Sequence, residues 1–312
     1  MRKLTKAQFA RLDQWMQANA RAYDLAKWNH LFHGGSKEAI VAEMLKYQNP
    51  DGGMGSGFEA DILCPQSTAI SSAEAIFQAY EYQLDCTAPW FKHLLDYFEQ
   101  SVQDIPKYWD DAPIEAFDYP HAPWWHYEPN TVFNPNPCGV VASALIRYGT
   151  PSQQALGLRI AEDCLKLLLS NDFCGDHDTL NLQALVEQLT AIRSPLITGD
   201  VITALRRRIL ENTCFDPAQY GTYVFTPLDY VTSPDSPWHG DVATALPRPL
   251  ITGSMPWTLI PFGSPTFPGE PAAPQPCRSP KTGRATSPQS GQRSSNNLAS
   301  LKTDHAKAPC AC

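Results

Sequence analysis

Two carboxylates follow a glycine-rich turn in the run YQNPDGGMGSGFEADI, residues 47–62. Glu59 and Asp61 are two positions apart, so both side chains belong to the same short loop. Two carboxyl groups in one site can serve as general acid and general base when burial separates their pKa values. Glu59 and Asp61 are therefore candidate catalytic residues. The alternative is a solvated loop in which one of the acids caps the next helix.

A dense aromatic run, WWHYE at residues 124–128, forms the second candidate site. Aromatic faces stack on ligand rings and stabilise cations, and a neighbouring acid can deliver a proton. The predicted substrate-binding residues are Trp109, Trp124, Trp125, His126 and Tyr127. Glu128 is the third catalytic candidate. The alternative is a surface loop that large apolar side chains anchor to the protein.

Patterns that favour a metal are weaker. Residues 174–178, CGDHD, offer a thiol, carboxylates and an imidazole. Zinc needs at least three ligands that converge in space, and an acid at this place is also an ordinary helix N-cap. His30 and His33 share one helix face, where a cation near the helix C-terminus is favourable without any metal. The final residues 310–312, CAC, are attributed to a flexible tail, and we predict neither a metal site nor a cofactor.

Helices must position these candidates. Apolar residues recur three and four positions apart from the N-terminus to about residue 213, which predicts eight or nine helices, no strands and an all-α class. The predicted helix boundaries are Gly34-Gly35-Ser36, Ser67 or Thr68, Thr87 before Pro89, and Pro151-Ser152.

Two segments depart from this helical pattern. Residues 105–137 are rich in proline and aromatic residues, and a long loop of this kind is often a lid or a binding wall. The C-terminal stretch is rich in proline, serine and glycine with few large apolar residues, which predicts disorder. We therefore expect a helical domain over residues 1–255 and a disordered tail over residues 256–312.

The glycine-rich turn does not match a nucleotide site. A P-loop requires GxxxxGK[ST], and a dinucleotide fingerprint requires a strand before its glycines, whereas a helical pattern precedes these. A repeat explains the turn better. Gln48 precedes Met54 by six residues, Gln103 precedes Trp109 by six residues, and each glutamine closes an apolar helix. The intervening DGG is then a tight turn that ends the first helix.

The run YQNPDGGMG resembles the Gln-Trp repeat of the squalene/oxidosqualene cyclase and protein prenyltransferase superfamily. In that repeat an aromatic residue and a glutamine precede a glycine-containing turn and a tryptophan. Residues 20–62 and residues 220–237, YGTYVFTPLDYVTSPDSP, are similar to an uncharacterised prenyltransferase-like group of the superfamily, and the similarity covers roughly residues 15–237. The resemblance implies an α/α toroid with an apolar hub.

The chain also departs from that superfamily. Met54 replaces the tryptophan of the repeat, and the acid motifs Asp-x-Asp-Asp and DDxxD are absent. Members of the similar group continue after SPDSP with further helices, whereas this chain continues with WHGDVATALPRP and the polar stretch. We expect an incomplete toroid that lacks its last hairpins, through truncation or an altered reading frame.

Charge and composition exclude some classes of protein. The net charge of −8 argues against a general nucleic-acid binder, which needs a basic face. No apolar run approaches the roughly 20 residues of a membrane helix, and the N-terminus lacks an apolar signal core. Nine irregularly spaced cysteines are typical of reduced thiols, which predicts a cytoplasmic protein.

The expected function is that of a prenyltransferase-like or terpene-cyclase-like protein. Such a protein acts on a small apolar, isoprenoid-type molecule in an aromatic-lined cavity, and its proton donor is here Glu59, Asp61 or Glu128. One alternative is a carbohydrate-active α/α barrel, a lyase or hydrolase in which Trp124 and Trp125 stack on sugar rings. A second alternative is a non-catalytic helical binding scaffold.

Overall fold

The computed structural model describes residues 5–103, 108–110, 112–123, 125, 133–170, 172 and 174–245. The α-helices are α1 (Lys6–Asn19), α2 (Ala22–His33), α3 (Lys37–Met44), α4 (Ala69–Glu81), α5 (Pro89–Ser101), α6 (Pro135–Tyr148), α7 (Pro151–Leu169), α8 (Asp176–Ala191), α9 (Gly199–Asn212), α10 (Pro227–Tyr230) and α11 (His239–Ala245). Short 3₁₀ helices occupy Leu45–Tyr47, Ile114–Asp118 and Pro217–Gln219. Extended pairing in these residues is limited to isolated bridges, so the described part of the chain is all-α, as predicted.

Most predicted helix boundaries are correct because local side chains satisfy the exposed backbone groups. Gly34 ends α2 in the left-handed conformation, Ser36 caps α3 and Thr68 caps α4. The predicted start of α5 is one residue early, because Ala88 and not Thr87 is its N-cap, and the Thr87 hydroxyl donates to Asp85 Oδ1 at 2.6 Å. That helix begins at a proline, whose fixed φ suits the first helical position.

The helices from α4 onward form two packed rows. Helices α4, α6 and α8 pack side by side, while α5, α7 and α9 form the second row against them. Helices α6 and α8 run parallel, because Val140 N contacts Asn181 Oδ1 near their starts and Arg147 contacts Gln188 near their ends. The two backbones approach closely at Gly139, where an added Cβ would lie 2.5 Å from the Asn181 carbonyl oxygen.

Helix α2 extends the first row. The Tyr23 hydroxyl donates to Gln78 Oε1 of α4 at 3.0 Å, and His30 packs edge-on against Tyr82 at a ring-centroid distance of 6.1 Å. The residue nearer the start of α2, Tyr23, contacts Gln78, and the residue nearer its end, His30, contacts Tyr82 further along the chain. Helices α2 and α4 are therefore also parallel. Closure of the rows into a ring stays a prediction.

The glycine-rich turn is closed by its own hydrogen bonds. Gln48 Nε2 donates to Gly52 O and, across to α5, to Trp90 O, both at 2.9 Å. Gly52 has a φ of +93°, and a Cβ there would lie 2.1 Å from a carbonyl oxygen of α5, so only glycine fits. The N–H groups of Gly52, Gly53 and Gly55 donate inside this region. Because these donors are already used, the turn does not present the N–H cradle of a phosphate loop.

Residues 105–137 are predicted as one long loop, and their described part is more structured than that. It contains the 3₁₀ helix Ile114–Asp118. The indole N–H of Trp109 donates a hydrogen bond to the Phe98 carbonyl oxygen at 3.3 Å.

Within the described ranges, no helix has both the length and the hydropathy needed to cross a bilayer. The predicted tail and its boundary after residue 255 lie outside the described residues.

Candidate functional site

The loop that carries Glu59 and Asp61 is tied to the start of α2. Arg21 Nη1 donates to the Gly57 carbonyl oxygen at 2.7 Å, and Arg21 Nε donates to Asp24 Oδ2 at 2.6 Å. The guanidinium group therefore connects the loop to an acid on the helix. This geometry gives the loop a fixed position beside α2 and α4 even though it has no regular secondary structure.

Asp61 of the acid pair and Trp125 of the aromatic run meet in space. Trp125 Nε1 donates to Asp61 Oδ1 at 2.7 Å, and Ala122 N donates to the Asp61 carbonyl oxygen at 2.8 Å. The indole is half-buried and packs on a small apolar cluster that contains Ile62 and Cys64. One face of the site is therefore aromatic and directly adjoins a carboxylate.

The rest of the aromatic run lies outside the described residues. These residues are Trp124, His126, Tyr127 and the third catalytic candidate, Glu128. Trp109 is described, and its side chain lies in the main core with 2% of its surface exposed, packed edge-on against Phe98.

Glu59 has an environment that favours its protonated form. The side chain is half-buried, and burial raises the pKa of Glu59 to about 8, with repulsion from Glu74 and then Asp61 adding to the shift. Arg21 opposes this rise only weakly, since its Nη1 and Nε atoms are already bonded to a carbonyl oxygen and to Asp24. At neutral pH, Glu59 is consequently a carboxylic acid that can donate a proton.

Glu74, in the second turn of α4, is the partner of Glu59. Burial also raises the pKa of Glu74, and Glu81 adds to the rise, whereas Lys27 and a hydrogen bond from Gln78 lower it. That hydrogen bond joins Gln78 Nε2 to Glu74 Oε1 at 2.8 Å. The pKa of Glu74, about 7, is therefore raised less than that of Glu59, so Glu74 is the first of the two to lose its proton as the pH rises.

Sequence analysis does not single out Glu74, because the residue lies in the apolar stripe of α4 and resembles an ordinary acid near a helix start. A signal was present in its spacing. Glu74, Gln78 and Glu81 are four and three residues apart, which places three polar side chains on one face of a largely buried helix. Polar groups on a buried helix face mark a site or a structural network.

Three acids and two cations surround this pair in the described part of the chain. Asp61 acts on Glu59 and Glu81 acts on Glu74, whereas Asp24 forms ion pairs with both cations, Arg21 and Lys27. Lys27 is only 7% exposed and donates to Asp24 Oδ1 at 3.1 Å, so Asp24 offsets part of its charge. The site is therefore electronegative, which favours neutral or cationic molecules over anions.

The loop that follows α9 lies close to the carboxylate loop. Tyr223, which follows α9, shares a hydrogen bond of 2.7 Å with His177 in the first turn of α8. Burial raises the pKa of Tyr223, and the negative charges of Asp176, Asp61 and Glu59 raise it further. The start of α8 and the carboxylate loop therefore lie at the same end of the parallel helices.

The weaker metal candidates have ordinary partners. His30 Nδ1 bonds to the Gly35 carbonyl oxygen, and His33 Nε2 bonds to Asp13, each at 2.7 Å. Asp178 accepts from Gly175 N at 2.9 Å as part of the cap of α8. No group of three or more metal-ligating side chains converges in the part of the chain that the structure describes.

Comparison with known proteins adds no family assignment, since no protein-family model, curated protein or solved structure matches this chain.

Proposed function

We propose that this chain is an acid–base enzyme in which Glu59 donates a proton and ionised Glu74 accepts one. The supporting observation is the raised pKa of Glu59, about 8, beside a second carboxyl group that hydrogen-bonds an amide and faces Lys27. A general acid works best when its pKa lies near the working pH, and it typically accelerates a reaction about 100-fold to 10,000-fold.

The substrate class follows from the strength of this acid and the charge around it. A carboxyl group with a pKa near 8 is too weak to protonate an alkene carbon, but it suits an oxygen atom that gains negative charge as its bond breaks. The excess of acids repels a diphosphate. Trp125, half-buried beside Asp61, offers an indole face of the kind that packs on sugar rings. We therefore propose a carbohydrate-type substrate whose glycosidic bond is hydrolysed or eliminated.

A second candidate is the isoprenoid-type function that the resemblance implies. Its supporting observation is an aromatic cluster directly before Glu59. Phe58 lies 5.1 Å from Tyr23 and 5.5 Å from Tyr47 between ring centroids. Such rings can face an apolar or cationic intermediate. In this proposal the helix rows are part of an α/α toroid with an apolar hub.

One screen tests both candidates. The purified full-length chain is incubated with a panel of oligosaccharides and polysaccharides and a panel of isoprenoid alcohols and diphosphates, and products are detected by mass spectrometry. We expect turnover of a carbohydrate, and we expect Glu59→Gln to reduce it at least about 100-fold. Glu162→Gln, which alters an exposed acid on α7, is the matched control. Equal turnover by Glu59→Gln would refute the role of Glu59, and product from neither panel would favour the binding scaffold.

A further inference from the structure

Gln78 lies between two groups that fix its orientation. The Tyr23 hydroxyl donates to Gln78 Oε1 at 3.0 Å, and Gln78 Nε2 donates to Glu74 Oε1 at 2.8 Å. The same Nε2 lies 3.5 Å from Glu81 Oε2. Tyr23 is 2% exposed and Gln78 is 1% exposed, so water does not compete freely for these bonds. Burial raises the pKa of Tyr23 far above its usual range, so its hydroxyl keeps its proton and can donate.

The orientation of this amide decides which form of Glu74 it supports. With its oxygen toward Tyr23, Gln78 presents only N–H groups to the carboxylates of α4. An N–H donor stabilises an ionised carboxylate and offers nothing to the proton of a carboxylic acid. Glu59 also has a backbone hydrogen bond, at Ala60, that lowers its pKa, but burial and the repulsion from Glu74 outweigh it and favour the protonated form of Glu59.

We propose that Tyr23 and Gln78 are positioning residues that hold Glu74 in its ionised form, so that the negative charge of Glu74 favours a proton on Glu59. The relay runs from the α2 hydroxyl through the α4 amide to the α4 carboxylate. Other groups that face the pair are Arg21, Asp24 and Lys27 on α2, Asp61 in the loop, Glu81 and Tyr82 at the end of α4, and Tyr223. Of these groups, only Glu81 contacts the Gln78 amide, at 3.5 Å, and the others keep their hydrogen-bond and ion-pair partners when Gln78 is changed.

This inference deepens the proposed function, and its test requires no substrate. Carboxyl ¹³C NMR titrations of the full chain are recorded for the wild type and for the double variant Tyr23→Phe/Gln78→Met. Removing the hydroxyl and the amide together leaves neither of these two groups unsatisfied, so only the carboxylates of α4 lose a donor and the double variant is expected to fold. The variants Glu59→Gln and Glu74→Gln assign the two resonances. Unfolding by urea checks that the double variant is native.

The wild type is expected to titrate Glu74 below Glu59. In the double variant, the midpoint of Glu74 should rise by about one pH unit and that of Glu59 should fall, because the amide donor is lost. Unchanged midpoints in a folded double variant would overturn the relay. That failure is separate from failure of the proposed enzyme, which shows as full turnover by Glu59→Gln or as product from neither substrate panel.

Discussion

Replacing Glu59 by glutamine should make the stability of the protein less dependent on pH. A carboxyl group whose pKa rises from 4.5 to about 8 on folding binds its proton more tightly in the native state than in the unfolded state. Native stability is then greatest below the unfolded value and falls as pH rises from about 5 through about 8. Glu59→Gln cannot ionise, so it does not suffer this loss.

The size of the effect follows from the same linkage. A single site with these two pKa values loses about 3.5 kcal/mol of stability between about pH 5 and about pH 8, at about 1.4 kcal/mol per pKa unit. Glu59 is only half-buried and shares its repulsion with Glu74, so solvent screening should reduce the loss to about 2 kcal/mol.

Urea unfolding at a series of pH values measures this difference. We expect the free energy of unfolding of the wild type to fall by about 2 kcal/mol more than that of Glu59→Gln over this range. Glu162→Gln, with its exposed acid on α7, should follow the wild type. If Glu59→Gln and the wild type have parallel pH profiles, Glu59 does not keep its proton through folding and the assignment of the acid is wrong.

Two further predictions concern the helix rows. Gly139→Ala should lower the free energy of unfolding, measured with urea, by about 2 kcal/mol, because the added Cβ would lie 2.5 Å from the Asn181 carbonyl oxygen. Gly199→Ala is the control, because a Cβ at Gly199 meets open space, and it should change the free energy of unfolding by less than about 1 kcal/mol. An equal loss of stability in the two variants would argue against close contact of α6 and α8. Gln48→Leu should lower the free energy of unfolding by about 1–3 kcal/mol, since it leaves two carbonyl oxygens without their donor. Gln100→Leu, which changes an exposed glutamine, serves as the control. If Gln48→Leu is as stable as this control, the turn does not have the proposed structural role.

The helices could be predicted from sequence because their signals are local. Apolar spacing and capping residues such as Ser36 and Thr68 act within a few positions along the chain. The start of α5 was mispredicted because Thr87 bonds to Asp85, a competing turn that spacing alone does not reveal.

The site was only partly predictable because its contacts are between distant segments. Glu59 and Asp61 were identified as a pair of acids, but the contact between Asp61 and Trp125 depends on how the loops fold together. Glu74 was missed, since its raised pKa comes from burial beneath neighbouring helices and not from any motif. The electronegative character of the site likewise depends on tertiary packing.

The central claim is that Glu59 carries a proton at neutral pH, and infrared spectroscopy tests it most directly. The C=O stretch of a carboxylic acid is separate from the bands of a carboxylate, so a difference spectrum between wild type and Glu59→Gln isolates this group. At about pH 7 we predict a carboxylic-acid band that disappears as the pH passes about 8. A difference spectrum with only carboxylate bands at that pH would contradict the account.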